Sequence, residues 1–186
     1  MKELLPNSPR LLLVGFGAVG QGLVPLLVTA LGFSPTQITA WAADLDGAAV
    51  ANALGVTLRL QPLTPDNYAQ LLAEQLSDGD LLLNLAVEVS SLDLVAWCQQ
   101  HNVLYLDTSI EPWRGGYQAE QGLEPTTNSW LRQQVLALRQ ADRATAVIAH
   151  GANPGLISHL AKRALEQLAQ DQGLSFTPGR WAELAQ

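Results

Sequence analysis

Short apolar runs alternate with amphipathic stretches along the whole chain, and this alternation restricts the possible folds more than any other feature. The β-type runs lie at residues 11–14, 38–43, 56–60, 81–87, 103–106 and 145–149. The helical patterns between and after them lie at residues 18–31, 47–54, 67–76, 92–100, 127–140 and 155–170. Strands joined by helices pair in parallel and are covered on both sides. The sequence therefore predicts an α/β fold: a doubly wound, Rossmann-like parallel sheet of about six strands with helices on both faces.

This predicted domain occupies residues 1–170. Residues 171–186 are predicted to be a tail that is either an edge element or the start of a substrate and dimerisation domain that the chain lacks. A chain of 186 residues has room for one well-buried domain and little more.

Composition and charge narrow the class of protein. With 48% hydrophobic residues the chain is not disordered, and its net charge of −7 repels nucleic acid and anionic membranes. Cys98 is the only cysteine, so an intrachain disulfide is impossible, and its apolar neighbours predict a buried structural thiol. The first residues lack a signal-peptide layout, and we expect a cytoplasmic location without nucleic-acid or membrane partners.

A glycine-rich loop follows the first strand directly. Its three glycines are Gly15, Gly17 and Gly20, and a helical pattern opens at Ala18 and Val19. Gly15 suits the tight turn, Gly17 allows the backbone to approach a pyrophosphate, and Gly20 allows close packing of helix on strand. The free N–H groups of the first helical turn then bind the phosphate charge. A strand–helix turn without a ligand is the alternative, but the complete context favours a dinucleotide site formed by these five residues.

The end of the second strand indicates which dinucleotide binds. Asp44 lies about 20 residues beyond the motif, where an acid accepts hydrogen bonds from the ribose hydroxyls of NAD. Asp46 is a competitor, although Asp46 followed by Gly47 is typical of a turn. No arginine stands between Trp41 and Leu54 to bind a 2′-phosphate. The predicted cofactor is NAD, and no metal site is predicted.

The ends of the fourth and fifth strands carry polar groups. Ser90 or Ser91 follows the fourth strand and is predicted to cap the next helix. After the fifth strand come a carboxylate and two hydroxyls, in the segment 107–109, followed by Glu111 and Trp113. This set is a suitable cradle for a cation, with Glu111 pairing with an ammonium group and Trp113 offering its ring face. A solvated loop with an aromatic lid is the equal alternative.

The sixth strand is followed by a loop with proton carriers nearby. Asn153 and Pro154 are predicted to start the last helix, with Asn153 as N-cap and Pro154 as the first helical residue. This helix end faces the cleft, so the position does not exclude contact with a nicotinamide. His150 and His159 are candidate proton carriers, although packing or surface roles are commoner for single histidines.

Together these segments resemble bacterial homospermidine synthases, in the wider saccharopine-dehydrogenase-like group. The resemblance covers residues 11–165, and its motifs are the loop at 15–22, Val-Glu-Val-Ser-Ser at 87–91, Leu-Asp-Thr at 106–108, Glu-Pro-Trp at 111–113 and Gly-Ala-Asn-Pro-Gly at 151–155. The glycine loop is shared by many dinucleotide binders, whereas the last two motifs are more particular.

The resemblance implies an NAD-dependent oxidoreductase and transferase of polyamine biosynthesis. NAD would take a hydride from putrescine, ammonia would leave, a second diamine (putrescine or spermidine) would form a Schiff base, and the hydride would return. By position, Glu111 and Asn153 become the catalytic pair, with Glu111 binding substrate ammonium together with Trp113. Thr108, Ala152 and Asn153 would line the cofactor.

Members of this family continue into a second domain with further substrate contacts and the dimer interface. One carboxylate and one tryptophan are too few to hold two diamines, so we expect a chain of this length to need that domain for activity and for a homodimer. Two other functions remain open. One is a saccharopine- or carboxyspermidine-type dehydrogenase, for which Arg114 is thin support. The other is a non-catalytic NAD-binding module.

Overall fold

A parallel sheet forms the centre of the protein, seen in a computed structural model that describes residues 9–117 and 127–174. Its strands are β1 (Leu11–Val14), β2 (Ile38–Ala42), β3 (Thr57–Leu60), β4 (Leu81–Asn84), β5 (Leu104–Asp107) and β6 (Ala146–Val147). The strand order is β3-β2-β1-β4-β5-β6, and every neighbouring pair is parallel. The order reverses between β1 and β4, and ligands bind at such a switch point in open α/β sheets. The predicted doubly wound, Rossmann-like fold is confirmed.

Six α-helices connect and follow these strands in the described part of the chain. They are α1 (Ala18–Thr29), α2 (Ala48–Leu54), α3 (Tyr68–Gln75), α4 (Ser91–Gln100), α5 (Asn128–Ala137) and α6 (Leu156–Asp171). A 3₁₀ turn, Pro35–Gln37, precedes β2. All of these helices were predicted, with ends that differ by at most three residues.

Alternating side chains of the strands supply two separate hydrophobic cores. Leu11 and Leu13 of β1 face the core that α1 and α2 cover with Val24, Leu27 and Ala51. Leu12 and Val14 face the opposite core, which α3, α4 and α5 cover with side chains including Leu72, Leu94, Val95, Leu131 and Val135. Burying each such leucine stabilises the fold by roughly 2 kcal/mol. Helices on both faces follow directly from a β1 strand that is apolar at every position.

Two strands end two or more residues earlier than predicted, and local backbone contacts and conformation explain the difference. β4 stops at Asn84 rather than Val87, because the Asn84 Oδ1 atom accepts a hydrogen bond from the Ala86 N–H at 3.2 Å and turns the chain. β6 has only two residues. Two residues beyond its end, Ala149 adopts a left-handed conformation with φ of +52°, which ends the extended run.

The last helix is mostly exposed. Only Ala169 of α6 is buried, while Leu156, Ile157, Leu160 and Leu168 are each about half exposed or more. α6 therefore contributes little to either core. Cys98, by contrast, is fully buried in α4 as predicted, and burial raises the pKa of its thiol well above the ordinary value. No helix within residues 9–117 or 127–174 combines the length and the hydrophobicity needed to cross a bilayer.

Candidate cofactor and substrate site

Gly15 is the residue of the glycine loop with the least freedom to change. Its φ is +94°, and a Cβ atom there would lie 2.8 Å from the backbone nitrogen of Ala86 and 2.9 Å from the backbone oxygen of Leu85. Its N–H donates to the carbonyl of Trp41 at 2.8 Å. The loop is thus held between the ends of β2 and β4, on the two sides of the switch point.

Gly17 lies at an open surface and Gly20 lies in a tight packing contact, as their positions in the motif predict. A Cβ atom on Gly20 would lie 2.7 Å from the carbonyl oxygen of Gly15, so only glycine lets α1 approach the loop this closely. A Cβ atom on Gly17 would meet nothing within 4 Å, and no described side chain caps α1 at this residue. The first-turn N–H groups, at Ala18 and Val19 among others, therefore face an open surface. Donors of this kind bind phosphate.

A contact between the loop and α2 was missed by the sequence reasoning. Phe16 is buried, and its ring packs against Gly47. A Cβ atom added at Gly47 would lie only 2.6 Å from the Phe16 Cδ1 atom. The Gln21 side chain donates to the Phe16 carbonyl at 3.0 Å and lies 3.0 Å from the same point. Gly47 is therefore needed for packing, besides following Asp46 in a turn. The Asp46-Gly47 pair gave a signal for the turn but none for this contact.

Asp44 lies just beyond the end of β2, the position that the sequence predicts, and the structure shows that it is exposed. Its Oδ1 atom accepts a hydrogen bond from the Asp46 N–H at 3.1 Å, which fixes the carboxylate near the strand end. Neighbouring β3 brings Arg59 opposite Trp41, but the Arg59 guanidinium donates to Gln75 at 3.3 Å. The described surroundings of Asp44 thus offer acidic groups to a ribose and no arginine to a 2′-phosphate.

Glu111 follows β5 and is anchored by its backbone to the start of α4. Its N–H donates to the Ser91 Oγ atom at 3.1 Å, and its carbonyl accepts from the Ser91 N–H at 2.9 Å. Of the two serines considered as caps, Ser90 is the one that caps α4, accepting from the Asp93 N–H at 3.2 Å. Ser91 is fully buried and serves Glu111 instead.

Oxygen atoms gather around the Glu111 carboxylate. The Tyr117 hydroxyl lies 3.4 Å from Glu111 Oε2, 3.3 Å from the Ile110 carbonyl and 3.2 Å from Asn128 Oδ1. The Ser109 hydroxyl lies 3.4 Å from Glu111 Oε1. Burial and then the Glu111 charge raise the pKa of Tyr117 to about 12, so the hydroxyl keeps its proton. One tyrosine hydrogen serves three acceptors, and such a surplus of oxygen attracts a cation. The sequence reasoning found Glu111 but not Tyr117 or Asn128, which lie outside the motif.

Trp113 and Arg114 are engaged with other partners. The indole N–H of Trp113 donates to Asp93 Oδ2 at 2.5 Å, and its ring centroid lies 5.6 Å from that of Tyr68 at a 51° tilt. Arg114 forms an exposed ion pair with Glu88 at 2.8 Å. Trp113 thus points to the start of α4, while the Glu111 carboxylate points to Tyr117.

Asp107 at the end of β5 is buried completely, which changes the predicted cradle. Its Oδ2 atom accepts from the Tyr105 hydroxyl at 2.9 Å, and its Oδ1 atom accepts from the Ala149 N–H at 2.5 Å. Burial is the main cause that raises the pKa of Asp107, opposed by these hydrogen bonds. The carboxylate counted as part of a cation cradle is therefore not available to a ligand. The correction follows from long-range contacts that the sequence does not show.

Residues 150–155, here called the Asn153 loop, form a closed turn after β6. The Gly151 N–H donates to the Pro154 carbonyl and the Leu156 N–H donates to the Gly151 carbonyl, both at 2.9 Å. Ala152 and Asn153 are exposed at its tip. A Cβ atom on Gly151 would lie 2.9 Å from the Thr108 carbonyl oxygen, so the loop packs directly on the end of β5. The structure thus brings the Thr108 and Asn153 segments together.

The predicted capping by Asn153 is wrong. α6 begins at Leu156, its N-cap is Gly155 with φ of +123°, and no side chain caps it. Asn153 and Pro154 instead belong to the closed turn, joined by a cis peptide bond. His150 and His159 lie together, with ring centroids 5.3 Å apart in an edge-to-face arrangement.

Fold and site define a dinucleotide-binding domain of the doubly wound class. Residues 11–149 match the family described as saccharopine dehydrogenase NADP binding domain, and the chain belongs to that family. It is also 36% identical to a homospermidine synthase of Blastochloris viridis, over 94% of this chain and 39% of that protein. It is 33% identical to a homospermidine synthase of Mesorhizobium japonicum, over 89% of this chain and 35% of that protein.

A solved structure agrees with these relatives. The crystal structure of homospermidine synthase from Legionella pneumophila, determined in complex with NAD, superposes with a TM-score of 0.84 at 39% identity. The match covers 95% of this chain and 38% of that chain. The chain thus spans between a third and two fifths of the length of these relatives, and it resembles an N-terminal portion of homospermidine synthase.

Proposed function

We propose that this chain is the NAD-binding portion of a homospermidine-synthase-like enzyme, which condenses putrescine-type diamines with loss of ammonia. The observation that carries the proposal is the open, uncapped start of α1 beside Gly17, at the switch point of the sheet. The relatives named above are homospermidine synthases, which supports the substrate class. A cytoplasmic location, the domain boundary at residue 170 and dimerisation through a further domain stay predictions.

The described residues fit a dinucleotide. Gly15 and Gly20 shape the loop, and the first-turn N–H groups beyond Gly17 would hold the pyrophosphate. Exposed apolar side chains at the same edge of the sheet, Val19 at 63% and Val87 at 74%, would be covered by the bound cofactor. When bound, the cofactor supplies reversible hydride transfer, which the side chains of this chain do not.

NAD is preferred to NADP in this proposal, although the family description names NADP. The Asp44 carboxylate would accept hydrogen bonds from ribose hydroxyls and would repel a 2′-phosphate. NAD is also the cofactor present in the related structure from Legionella pneumophila.

Asp44→Ala should weaken NAD binding by about 1–3 kcal/mol, the usual cost of losing a charged hydrogen-bond partner. Calorimetric titration with NAD and NADP measures the effect, and the preference for NAD should narrow in the variant. Asp46→Ala is the matched control. If Asp46→Ala weakens NAD binding more than Asp44→Ala does, the ribose contact belongs to Asp46.

Glu111 is the proposed site for a substrate ammonium group, with Asn153 close to nicotinamide and substrate. The surplus of oxygen atoms around the Tyr117 hydroxyl supports a cationic ligand there. Thr108 and Ala152, joined through the packing of Gly151 on β5, would line the cofactor. The Trp113 indole donates a hydrogen bond to Asp93, and its ring packs on Tyr68. We therefore propose that the ring lies beside the ammonium site without binding the ammonium group face-on.

The direct test is to incubate the protein with NAD and putrescine and to measure homospermidine and released ammonia. Ammonia without homospermidine indicates a half-reaction, and absence of NAD binding contradicts the proposal. NAD binding without any turnover favours a non-catalytic NAD-binding module. A saccharopine- or carboxyspermidine-type activity is less supported, because Arg114 is paired with Glu88.

Glu111→Gln should reduce diamine turnover at least about tenfold, as expected when a charge-assisted bond is lost, and leave NAD affinity nearly unchanged. Asn128→Ala is the control for the oxygen cluster, since it removes one neutral acceptor and keeps the charge. Where turnover is absent in the parent chain, putrescine binding to the NAD complex is the readout. An equal loss of NAD and diamine binding in Glu111→Gln makes Glu111 a structural residue.

A further inference from the structure

The buried carboxylate of Asp107 joins the sheet to the Asn153 loop at the point where regular pairing stops. β6 ends at Val147, yet Asp107 at the end of β5 still forms hydrogen bonds with the residues that follow β6. Its side chain accepts from the Ala149 N–H at 2.5 Å, and its backbone carbonyl accepts from the His150 N–H at 3.0 Å. The N–H groups of the residue just before the loop and of its first residue therefore both donate to Asp107.

This contact fixes an unfavourable backbone conformation. Ala149 has φ of +52°, a region that non-glycine residues rarely adopt and that raises the conformational energy. A hydrogen bond from the Ala149 N–H to the buried Asp107 side chain offsets that energy. Immediately afterwards, Gly151 packs on the Thr108 carbonyl, so the orientation of the loop tip depends on the turn at Ala149.

A buried hydrogen-bonded chain holds the carboxylate in turn. The Tyr105 hydroxyl donates to Asp107 and accepts from the Asn84 amide at 3.3 Å. Asn84 also fixes the turn after β4, through its bond to the Ala86 N–H. All three side chains are at most 2% exposed. The chain thus runs beneath the ends of three neighbouring strands, from the segment beside Gly15 to the Asn153 loop.

We propose that Asp107 is a positioning residue, which holds the Asn153 loop in the conformation that receives the nicotinamide end of the cofactor. The inference rests on the proposed NAD site. With the pyrophosphate at α1 and the adenosine ribose at β2, the nicotinamide end extends over β4, β5 and β6. A loosened loop spends less time in the binding conformation, and the apparent dissociation constant rises by the inverse of that fraction.

The test compares NAD with ADP-ribose, which lacks the nicotinamide, in calorimetric titrations of the full chain. Asp107→Ala should raise the NAD dissociation constant about tenfold, if about a tenth of the molecules keep the loop in place, and should change the ADP-ribose constant less than about twofold. Asp107→Asn should restore most of the NAD affinity, because its amide oxygen still accepts from Ala149. An equal change for both ligands, or no change for either, overturns the proposal.

A second readout needs no cofactor. Hydrogen exchange of the backbone amides of Ala149 and His150 should be faster in Asp107→Ala than in the parent chain. The matched control is Asp80→Ala, which removes a buried aspartate that accepts from the Arg10 and Ser77 N–H groups, both at 2.8 Å, at the opposite end of β4. The control should leave exchange at residues 149–150 unchanged. Unchanged exchange in Asp107→Ala also overturns the proposal.

A third variant guards against loss of folding. Tyr105→Phe removes only the hydroxyl that donates to Asp107, and it should shift NAD binding in the same direction by a smaller factor, again without affecting ADP-ribose. Failure of the parent chain to bind either ligand would contradict the proposed function and not the role of Asp107 in the loop, which the exchange measurement decides alone.

Discussion

The two halves of the proposed ligand-binding edge are built by different means. Around β1 and α1, backbone and glycines form the surface: Gly15, Gly17 and Gly20 define its shape, and no described side chain caps the helix. Around β4, β5 and β6, buried polar side chains define the surface instead. Asn84, Tyr105 and Asp107 are linked by hydrogen bonds under the strand ends. The first half is exposed backbone, and the second is a loop resting on a hydrogen-bonded chain.

The difference matters for how each half tolerates change. A backbone surface fails when a side chain is added, because an added Cβ atom meets neighbouring backbone atoms. A polar network fails when a side chain is removed, because buried donors and acceptors lose their partners. Substitutions that add a side chain to the first half or remove one from the second distinguish these two modes of failure.

The largest effect is expected at Gly15. Gly15→Ala places a Cβ atom 2.8 Å from the Ala86 nitrogen in a residue with φ of +94°, so both sterics and backbone strain oppose it. We expect the free energy of unfolding to fall by about 2–4 kcal/mol and NAD binding to be lost. Chemical denaturation followed by circular dichroism measures the change.

Gly22→Ala is the matched control for this glycine. Gly22 lies inside α1, is exposed, and has nothing within 4 Å of an added Cβ atom. The substitution should stabilise the chain by about 0.5–1 kcal/mol, the ordinary helical preference for alanine. Similar losses at Gly15 and Gly22 would show that the glycine half is not under special steric constraint.

A smaller effect is expected at Trp113, in the side-chain half. Trp113→Phe keeps a ring against Tyr68 but removes the donor to Asp93, and we expect a loss of about 1–2 kcal/mol in stability. NAD affinity should not change. A double-mutant cycle with Asp93→Ala measures the coupling, and additive losses would contradict the bond between the two side chains.

The same contrast explains what the sequence predicted. The fold, the glycine roles and the buried Cys98 follow from local signals: period, spacing and backbone restrictions. The second half depends on pairs distant in sequence, such as Asp107 with Ala149 and Tyr117 with Asn128. No local pattern marks these pairs. For that reason the sequence predicts that Asn153 caps α6, although it lies in a closed turn, and predicts a ligand contact for Asp107, although it is buried.

The smallest expected effect is a dependence of stability on pH that only the polar half should show. Burial raises the pKa of Asp107 in the folded protein above its ordinary value. Between those two pKa values the folded state binds more protons than the unfolded state, so the contribution of this carboxyl group to stability falls as pH rises.

Asp107→Asn removes the titration. The stability of the parent chain relative to Asp107→Asn should therefore decline from about pH 4 towards neutrality. The stability of the parent relative to Gly15→Ala should stay constant over the same range, since no titrating group is changed. Denaturation curves at several pH values measure both differences. A rise in place of the decline would mean that the bonds from Ala149 and Tyr105 outweigh burial in setting the charge of Asp107.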